Sequence, residues 1–499
     1  AFAPVADPSV AAGPGMELPP PARHVFTNRT LNLRSIKAIG FDMDYTLIHY
    51  RTEAWERRAY EHVQRKLAEQ GWPVGHQTFD PEFAMLGLIL DLDRGNLVKA
   101  NRFGYVKKAS HGTRMLEYDE LRRTYSRELV DLSEPRWVFL NTLFGMSEAT
   151  LFAQLVDLAS EGKLPRPTTY GELYRLVRSN LDGTHMEGTL KAEILAEPDR
   201  FVELDPDLPL ALLDLKAAGK KLLVITNSEW PYTRALMSFA FDRFLPGGQT
   251  WRDLFDLVVV SARKPSFFEH PNPAFEVVDD DGLLRPHLGK LELGRAYLGG
   301  NAALVEQSLG LSGDDLLFVG DHIFSDVNVS KNLLRWRTAL VVRELERELD
   351  ALEGFKPHQA RITELMERKT RLDYRMTQVK LALLRIEHGH AEPQPIPGLD
   401  VHDEEALRRE SQRLREAMAA LDTEIGPLAK EADELQNTRW GLLMRAGNDK
   451  SHLARQIERY ADVYTSRVSN LVHWSPFAYL RSPRGSLPHD SGRAGGVQT

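Results

Sequence analysis

The chain has 499 residues, of which 42% are apolar and 27% charged, enough for two or three structural units with an ample core. It contains no cysteine, which excludes disulfides, thiolate metal sites and thiol catalysis. Its 63 basic and 71 acidic residues give a formal charge of −8, so no overall basic field favours nucleic acid, and an anionic ligand needs a local positive site. Without a run of about 18 apolar residues, no membrane span is predicted.

The chain begins with a segment rich in Pro, Ala and Gly, residues 1–23, which lacks hydrophobic periodicity and predicts a disordered leader. Residues 24–50 follow, and within them KAIGFDMDYTLIHY predicts a short buried strand ending at Asp42 and Asp44. At the carboxyl end of a parallel strand, Asp42 would point into the ligand crevice, and Asp44 could reach the same substrate. Two such carboxylates can act as nucleophile and as general acid/base. The alternative is a turn in which an aspartate caps a helix.

Residues 51–204 are far more numerous than a crossover requires, so they are predicted to form mainly a cap domain, with some core connections. Gly95 and Gly104 are predicted at turns between short strands or hairpins. The apolar residues 135–159 predict a long helix.

Two further apolar runs end in groups suited to a phosphate ester. LLVITNSE predicts a strand ending in Thr226, Asn227 and Ser228, whose hydroxyl and amide groups suit phosphate oxygens. LVVVSARKPSF predicts a strand followed by Lys264, which would neutralise a transferring phosphoryl group and an attacking carboxylate. Taken singly, these residues are equally compatible with a helix cap and a solvated lysine.

A fourth run, LLFVGDHIFSD, predicts a strand with Asp321 and Asp326 just past its end. Acidic groups beside a strand that already carries Asp42 predict a site for a hard cation, Mg²⁺. The alternative is a pair of turn aspartates. Strands and helices alternate through residues 205–345 and, with residues 24–50, predict a parallel, doubly wound sheet.

Residues 346–440 show three-, four- and seven-residue spacings of apolar side chains, which predict two long helices joined by a proline-containing turn. Pro427 is expected to kink or end the second helix. Both a dimerisation or partner-binding hairpin and a helical pair folded on its own core are compatible with this pattern. Residues 441–481 are predicted to return to the core, and residues 482–499 predict a disordered tail.

The order DxDxT, a strand ending in Thr, Lys and then GDxxxxD resembles the four motifs of the haloacid dehalogenase superfamily. FDMDYTL, TNSE, ARKPSFF and GDHIFSD resemble in particular the cytosolic purine 5′-nucleotidase II family, specific for IMP and GMP. The resemblance extends over residues 23–481 and is weakest in the helical hairpin. It implies an α/β fold, with a doubly wound parallel Rossmann-like core, an inserted α+β cap domain and a long helical hairpin.

The resemblance also implies catalytic roles. Asp42 would be the nucleophile that becomes an aspartyl phosphate, Asp44 the general acid/base, and Thr226 and Lys264 the residues that hold the phosphate. The implied Mg²⁺ ligands are Asp42, the main-chain carbonyl of Asp44, and Asp321, with Asp326 as an accessory carboxylate.

RSNLDGTHMEGTLK in the cap resembles the family's nucleoside-recognition segment. The resemblance implies that Arg178, Asp182, His185 and Lys191 contact base and phosphate, and that Phe144 stacks on the purine. A purine offers a π face and polar edges, which suit an aromatic ring combined with donors and acceptors. Arg178 and Asp182 are also spaced i, i+4, for which a surface ion pair is the alternative.

Regulated relatives have an adenine-nucleotide effector pocket. The residues that fall on its base-binding positions are Asn141, Phe324, Gln456 and Tyr460. Asp131 and Asn332 stand at the positions of basic residues that hold the polyphosphate, although Arg136 or Lys331 could compensate. We therefore predict that ATP activates this protein weakly or not at all.

The leading hypothesis is a cytoplasmic, Mg²⁺-dependent 5′-nucleotidase acting on purine nucleoside monophosphates, with IMP and GMP preferred. Transfer of the phosphoryl group to a nucleoside, and a homo-oligomeric state as dimer or tetramer, are expected from the resemblance. No nucleic acid or membrane partner is expected. The alternatives are a phosphatase for another small phosphate ester and a non-catalytic scaffold built around the helical hairpin.

Overall fold

The computed structural model describes residues 18–186 and 188–483. In that part of the chain, no helix is long and apolar enough to cross a membrane. The described residues form two compact units: residues up to Glu346 together with Leu443–Pro483 make up the first, and Arg347–Leu442 the second.

The strands, in chain order, are β1 (Val25–Thr27), β2 (Leu31–Asn32), β3 (Ala38–Phe41), β4 (His49–Tyr50), β5 (Ile89–Asp91), β6 (Asn96–Ala100), β7 (Val106–His111), β8 (Arg114–Met115), β9 (Trp137–Phe139), β10 (Val202–Glu203), β11 (Lys221–Ile225), β12 (Leu257–Val260), β13 (Ala274–Val277), β14 (Leu284–His287), β15 (Arg295–Gly299), β16 (Leu316–Gly320), β17 (Arg337–Val341), β18 (Arg445–Ala446), β19 (Asp449–Lys450), β20 (Val463–Thr465) and β21 (Tyr479–Leu480).

The α-helices are α1 (Thr52–Glu69), α2 (Tyr118–Tyr125), α3 (Met146–Ser160), α4 (Tyr170–Met186), α5 (Thr189–Ala196), α6 (Pro198–Phe201), α7 (Asp207–Ala217), α8 (Trp230–Phe241), α9 (Trp251–Leu254), α10 (Ser266–Glu269), α11 (Ala302–Leu309), α12 (Val329–Leu334), α13 (Leu345–His388), α14 (Glu404–Glu434) and α15 (His452–Tyr460).

A large sheet forms the centre of the first unit. Its strand order is β1-β20-β17-β16-β3-β11-β12-β15-β13-β14. The seven strands from β20 to β15 run parallel, and antiparallel strands extend the sheet at both edges. The strands β3, β12 and β16 are buried throughout, as expected for apolar strands covered on both faces. The predicted doubly wound, parallel α/β core is therefore confirmed, with β3 near its middle.

One face of this sheet carries an aromatic core. Phe268, Phe318 and Trp336 are buried there, and their rings meet at angles from 46° to 89°. Aliphatic side chains from the strands and from α11 fill the same cluster. Close packing of this kind fixes the strands, and with them the residues at the strand ends.

The chain leaves the core after β4 and returns at β10, and these two strands pair with each other. Between them, β8-β7-β6-β5-β9 form an antiparallel sheet, and α1, α3 and α4 pack against one another. Gly95 and Gly104 have positive φ angles of 69° and 91° at turns, as predicted. A side chain at Gly104 would also meet the carbonyl oxygen of Val130, with Cβ only 2.8 Å away.

Two local predictions are wrong in this unit. Residues 135–159 do not form one helix, because Trp137–Phe139 pairs with β5 as an edge strand and the helix begins only at Met146. The predicted disordered leader, residues 1–23, is wrong at its end, because Pro21–Arg23 form a 3₁₀ turn in which Arg23 binds Asp207 at 2.8 Å. The remaining leader residues 1–17 and the predicted tail from 484 onwards lie outside the described residues.

The second unit is the predicted helical hairpin. Met376 and Val379 of α13, Leu407 and Leu414 of α14, and Ile396 of the connection are all buried in one cluster. Each of these residues contacts the unit's own core, which supports the interpretation as a helical pair folded on itself. Polar pairs cross the hairpin beside this core, and one of them joins Lys369 of α13 to Asp422 of α14.

Of the two outcomes expected at Pro427, a kink or an end of the second helix, the structure contradicts the end. The helix α14 continues through it to Glu434. A proline removes one backbone hydrogen bond. The apolar side chains of α14, among them Leu407 and Leu414, still pack on α13 and stabilise the helix.

Candidate active site

Four neighbouring parallel strands deliver the predicted catalytic groups to one edge of the sheet. In the order β16-β3-β11-β12, their carboxyl ends lead into Asp321, Asp42, Thr226 and the loop of Lys264. The backbone N–H of Asp42 still donates to Val319 across the sheet, at 2.9 Å. Because these strands are rigid and adjacent, residues far apart in sequence meet in one place.

Lys264 lies between two carboxylates. Its Nζ is 2.8 Å from Asp42 Oδ2 and 2.8 Å from Asp326 Oδ1, and its side chain is only 2% exposed. The other Asp326 oxygen accepts the backbone N–H of His322 at 3.1 Å. Gly320 is required here, because a Cβ at that position would overlap the Asp326 carboxylate. Asp326 therefore fixes both the lysine and the start of the following turn.

Burial and charge act against each other in this cluster. Burial raises the pKa of Asp42, although the Lys264 ammonium opposes the rise. For Lys264, burial favours the neutral amine, but Asp326 and Asp42 outweigh it and raise its pKa above the usual range. Burial and the charges of Asp42 and Asp326 raise the pKa of Asp321. The oxygens of these three carboxylates lie within 4.8 Å of one another.

Asp44 has a different environment from Asp42. Tyr50 donates a short hydrogen bond to its Oδ1, and Ser228 Oγ donates to its Oδ2 at 2.6 Å. The Tyr232 hydroxyl is 3.1 Å from that of Tyr50, and because Tyr50 donates to Asp44, Tyr232 donates to Tyr50. Burial raises the pKa of Asp44, while Lys191, Ser228 and Tyr50 lower it. A carboxyl group with a raised pKa, fixed by two donors, suits proton transfer.

The residues after β11 shape the loop beside Asp42. Asn227 holds both backbone groups of Lys264, accepting its N–H at 2.6 Å and donating to its carbonyl at 3.2 Å. Thr226 Oγ1 accepts the backbone N–H of Ser228 at 3.1 Å. Thus Asn227 positions Lys264, and Ser228 positions Asp44, while all three residues from Thr226 to Ser228 line the cavity.

A sequence model of the 5′ nucleotidase family matches residues 25–492, most of the chain. The chain belongs to the 5′-nucleotidase family. This confirms the family predicted from the motifs, and makes the protein a phosphoric monoester hydrolase of the 5′-nucleotidase type.

Individual proteins are similar to this nucleotidase at lower identity. A 5′-nucleotidase domain-containing protein of Dictyostelium discoideum is 26% identical over 476 residues, covering 93% of this chain and 74% of the relative. Among solved structures, an archaeal β-phosphoglucomutase from Pyrococcus sp. strain ST 04 aligns with 61% of this chain and 86% of its own, at 12% identity and a TM-score of 0.28. A predicted phosphoglycolate phosphatase from Haemophilus somnus aligns with 62% of this chain and 86% of its own, at 14% identity and a TM-score of 0.27.

The nucleotidase has a cavity of about 360 Å³ at this sheet edge. It is lined from the core by Asp42, Asp44, Lys264 and Asp321. The predicted substrate residues that line it from the other side are Phe144, Arg178, Asp182 and Lys191. The side chain of His185 lies outside the described residues. The sequence therefore identified residues from distant segments that share one cavity.

The predicted substrate residues already have protein partners. Arg178 binds Glu148 at 3.1 Å and Asp182 at 3.3 Å, so the expected i, i+4 ion pair is present as well as the cavity location. Lys191 of α5 binds Glu229 at 2.8 Å and lies 3.4 Å from Ser228 Oγ. These contacts hold both cations at the cavity wall.

Several residues of the site gave no recognisable sequence signal. Tyr50 and Tyr232 support Asp44 from apolar segments, and Glu148 supports Arg178 from the middle of an apolar run. His322 also lines the cavity, and burial lowers its pKa to about 4, so it is neutral near pH 7. Its Nδ1 accepts the Ser325 backbone N–H at 3.0 Å, which assigns the proton to Nε2. Only the GDHIFSD motif could have drawn attention to His322.

Three of the four possible effector residues lie on α15 or against it: Gln456 and Tyr460 belong to this helix, and Phe324 contacts Tyr460. The rings of Phe324 and Tyr460 are 6.2 Å apart, and Gln456 Nε2 lies 2.8 Å from His452 Nε2. Asn141 lies two residues beyond the end of β9. Their role as an effector site remains a prediction.

Proposed function

We propose that this enzyme removes the 5′-phosphate of purine nucleoside monophosphates, with IMP and GMP preferred, through an aspartyl phosphate on Asp42. One observation supports this above all others. A single cavity is lined both by the carboxylates and lysine of the core and by Phe144, Arg178 and Asp182 of the cap. The first set suits a phosphate ester, and the second suits a purine with its π face and polar edges.

The reaction would proceed in two displacements. In the first, an Asp42 oxygen forms a bond to phosphorus, the bond from phosphorus to O5′ breaks, and Asp44 gives its proton to the departing oxygen. In the second, Asp44 takes a proton from a water molecule as that water attacks phosphorus, and the bond to Asp42 breaks. Inorganic phosphate leaves and both aspartates return to their starting states. Lys264, beside Asp42, would offset the negative charge throughout.

The residues present fit Mg²⁺. The carboxylates of Asp42 and Asp321 offer the oxygen donors that a hard cation prefers. The main-chain carbonyl of Asp44 would be the third ligand that the resemblance implies. Asp326 would serve as an accessory carboxylate, which also holds Lys264 and the N–H of His322. When bound, Mg²⁺ supplies positive charge to the phosphate oxygens.

The same cavity would admit an acceptor nucleoside after the first product leaves. A nucleoside bound against Phe144 presents its 5′-hydroxyl to the aspartyl phosphate in place of water. Asp44 would remove the hydroxyl proton, and the phosphoryl group would pass to the nucleoside. We therefore include nucleoside phosphotransferase activity in the proposal.

The test is a phosphate-release screen over the common nucleoside monophosphates and a generic ester, p-nitrophenyl phosphate, with Mg²⁺ and with EDTA. We expect IMP and GMP to give the highest kcat/KM, and EDTA to abolish turnover. Asp42→Asn keeps nearly the same shape but removes the nucleophile, so turnover should fall by at least about a thousandfold in a folded protein. Near-normal turnover of Asp42→Asn, or a preference for a phosphate ester without a base, would contradict the proposal.

A further inference from the structure

A buried carboxylate outside the catalytic cluster holds the cavity wall that carries Phe144. Phe144 lies in the 3₁₀ turn Leu143–Gly145, which leads directly into α3. No side chain of the residue preceding α3 caps this helix. Instead Glu56 of α1, only 1% exposed, accepts the backbone N–H of Ser147 at 2.7 Å. A carboxylate from another helix therefore replaces the ordinary cap at the start of α3.

The neighbouring residue of α1 contacts the same turn through its ring. Trp55 lies 5.3 Å from the Phe144 ring, and Tyr45 lies 4.7 Å from it, both in edge-to-face geometry. Trp55 and Phe144 both line the cavity. Successive residues of α1 thus fix the Phe144 side chain and the backbone that follows it.

The first turn of α3 also supports Arg178. Glu148, one residue beyond Ser147, is 3% exposed and binds Arg178 at 3.1 Å. A displacement of this turn would therefore move the aromatic side and one charged side of the cavity together. The two side chains implied in nucleoside recognition share one backbone support.

Burial of the Glu56 carboxylate lowers the stability of the folded protein. Among the described residues, its Oε1 has no hydrogen-bond partner although it is buried. Burial raises the pKa of Glu56 to about 7, and the nearby charge of Glu148 adds to this rise, while the hydrogen bonds from Ser147 and Met146 oppose it. The side chain stays at this cost because its other oxygen accepts the N–H at the start of α3, a role that depends on the reach of the acceptor and not on its charge.

We propose that Glu56 is a specificity-determining positioning residue, which fixes the start of α3 so that Phe144 and Arg178 keep the geometry that recognises the nucleoside. The inference rests on the proposed function, since it assumes that the base binds against Phe144. Glu56 contacts neither the phosphate-handling carboxylates nor Lys264, so it acts on nucleoside affinity and not on the chemical step.

The test compares two small changes at one position. Glu56→Asp keeps the charge but withdraws the acceptor by one methylene, whereas Glu56→Gln keeps the reach of a carbonyl acceptor. We expect Glu56→Asp to raise KM for IMP or GMP about fivefold to tenfold, the equivalent of losing a helix cap, and Glu56→Gln to stay within about twofold. Neither change should alter kcat/KM for p-nitrophenyl phosphate by more than about twofold. Glu53→Asp, on the exposed side of α1, is the matched control.

Thermal unfolding of each variant shows whether it is folded at the assay temperature. Equal losses on nucleotide and p-nitrophenyl phosphate in Glu56→Asp, or an unchanged KM for nucleotide, would overturn the inference. If Glu56→Asp does not fold, Ser147→Pro decides instead, because proline is tolerated in the first turn of a helix and removes the N–H that Glu56 accepts. A selective rise in the nucleotide KM of Ser147→Pro is expected, and an unchanged KM would overturn the inference. A wild-type enzyme with no preference for nucleotides over p-nitrophenyl phosphate would instead refute the proposed function itself.

Discussion

Asp42 and Asp44 are only two positions apart, yet their surroundings separate their chemistry. Asp42 faces the Lys264 ammonium, which favours the ionised carboxylate that the proposed attack requires, whereas Asp44 accepts hydrogen bonds from Tyr50 and Ser228. Ser228 lines the cavity and Tyr50 is buried behind it, so Oδ2 of Asp44 is the oxygen on the cavity side. In the proposed mechanism, proton exchange with substrate would therefore involve the Ser228 side of the carboxyl group, and Tyr50 would stay bonded throughout.

The prediction at the residue scale concerns Asp182. Changing Asp182 to Ala should raise KM for purine nucleotides about tenfold or more, the worth of a hydrogen bond to a charged group, while p-nitrophenyl phosphate is hydrolysed almost normally. Arg178 remains held by Glu148 in this variant, so the change reports on Asp182 itself. Steady-state kinetics on both substrates measures it, with Ser179→Ala on the same helix as control. Equal losses on the two substrates would assign Asp182 a structural role.

The sequence identified the residues that carry chemistry better than those that support them. Asp42, Thr226, Lys264 and Asp321 stand at the ends of apolar runs, where a polar residue is conspicuous. Tyr50 shows no such contrast. Its hydroxyl becomes significant only because β3 and β11 are neighbours, which places Tyr232 and Asp44 on either side of it. Contacts of that kind depend on tertiary structure and leave no local pattern.

At the scale of elements, the helical hairpin has a core that can be tested by itself. Leu414 is fully buried between α13 and α14, so Leu414→Ala should destabilise the second unit by about 2–5 kcal/mol through lost burial and the cavity left behind. Urea denaturation followed by circular dichroism should show an earlier transition, with kcat unchanged below it. Leu384→Ala, at a side chain 43% exposed, is the matched control. A change in kcat under native conditions would contradict the assignment of this core to the hairpin alone.

A second prediction concerns the edge of the large sheet. Asp462, just before β20, binds Arg29 at 2.6 Å, Arg337 at 2.9 Å and also Lys331. Burial alone would raise its pKa, but the three cations outweigh burial and lower it to about 2. A carboxyl with a lowered pKa in the folded state stabilises the protein above its unfolded pKa, near 4, and this stabilisation is lost as the pH falls towards 2.

Asp462→Asn should therefore lower the free energy of unfolding by about 2 kcal/mol at pH 7, and the difference from wild type should shrink between pH 4 and pH 2. Urea titrations at several pH values measure this. Asp315→Asn removes an exposed pair with Lys37 and should cost less than about 1 kcal/mol at every pH. A constant difference between Asp462→Asn and wild type down to pH 2 would show that the charge of Asp462 is not what stabilises this edge.

The elements also show where sequence patterns are insufficient. Residues 135–159 are apolar enough for a buried helix, and a buried edge strand followed by a helix has the same composition. Only pairing with β5 decides that Trp137–Phe139 is extended. In the hairpin, the seven-residue spacing extended past Pro427, and this long-range pattern predicted the helix better than the local rule for proline.

At the scale of the whole molecule, the structure bears on regulation. Lys331 and Arg136 were the two cations that could have compensated for the absent basic residues. Lys331 binds Asp462, and Arg136 binds Asp91 and Glu128, each at 2.7 Å. Both would have to leave a carboxylate before holding a polyphosphate, so the prediction of weak activation by ATP is retained.

We expect millimolar ATP, with Mg²⁺ in excess, to change kcat/KM for IMP by less than about twofold. Initial rates at subsaturating IMP measure the effect, with adenosine as a ligand that has the same base but no charge. Strong activation by ATP that is lost in Asn141→Ala would show that the pocket accepts a polyphosphate after all.

The ion cluster at Asp462 also determines when this side of the sheet can fold during synthesis of the chain. Arg29 and Asp462 are 433 residues apart. At about 5–20 residues per second, a ribosome needs roughly 20–90 s to travel between them. During that interval β1 has no strand to pair with, since its partner β20 follows Asp462 directly, and Arg29 lacks its counterion. Completion of this side of the sheet is therefore a late event during synthesis, and nascent chains released before Asp462 should depend on chaperones.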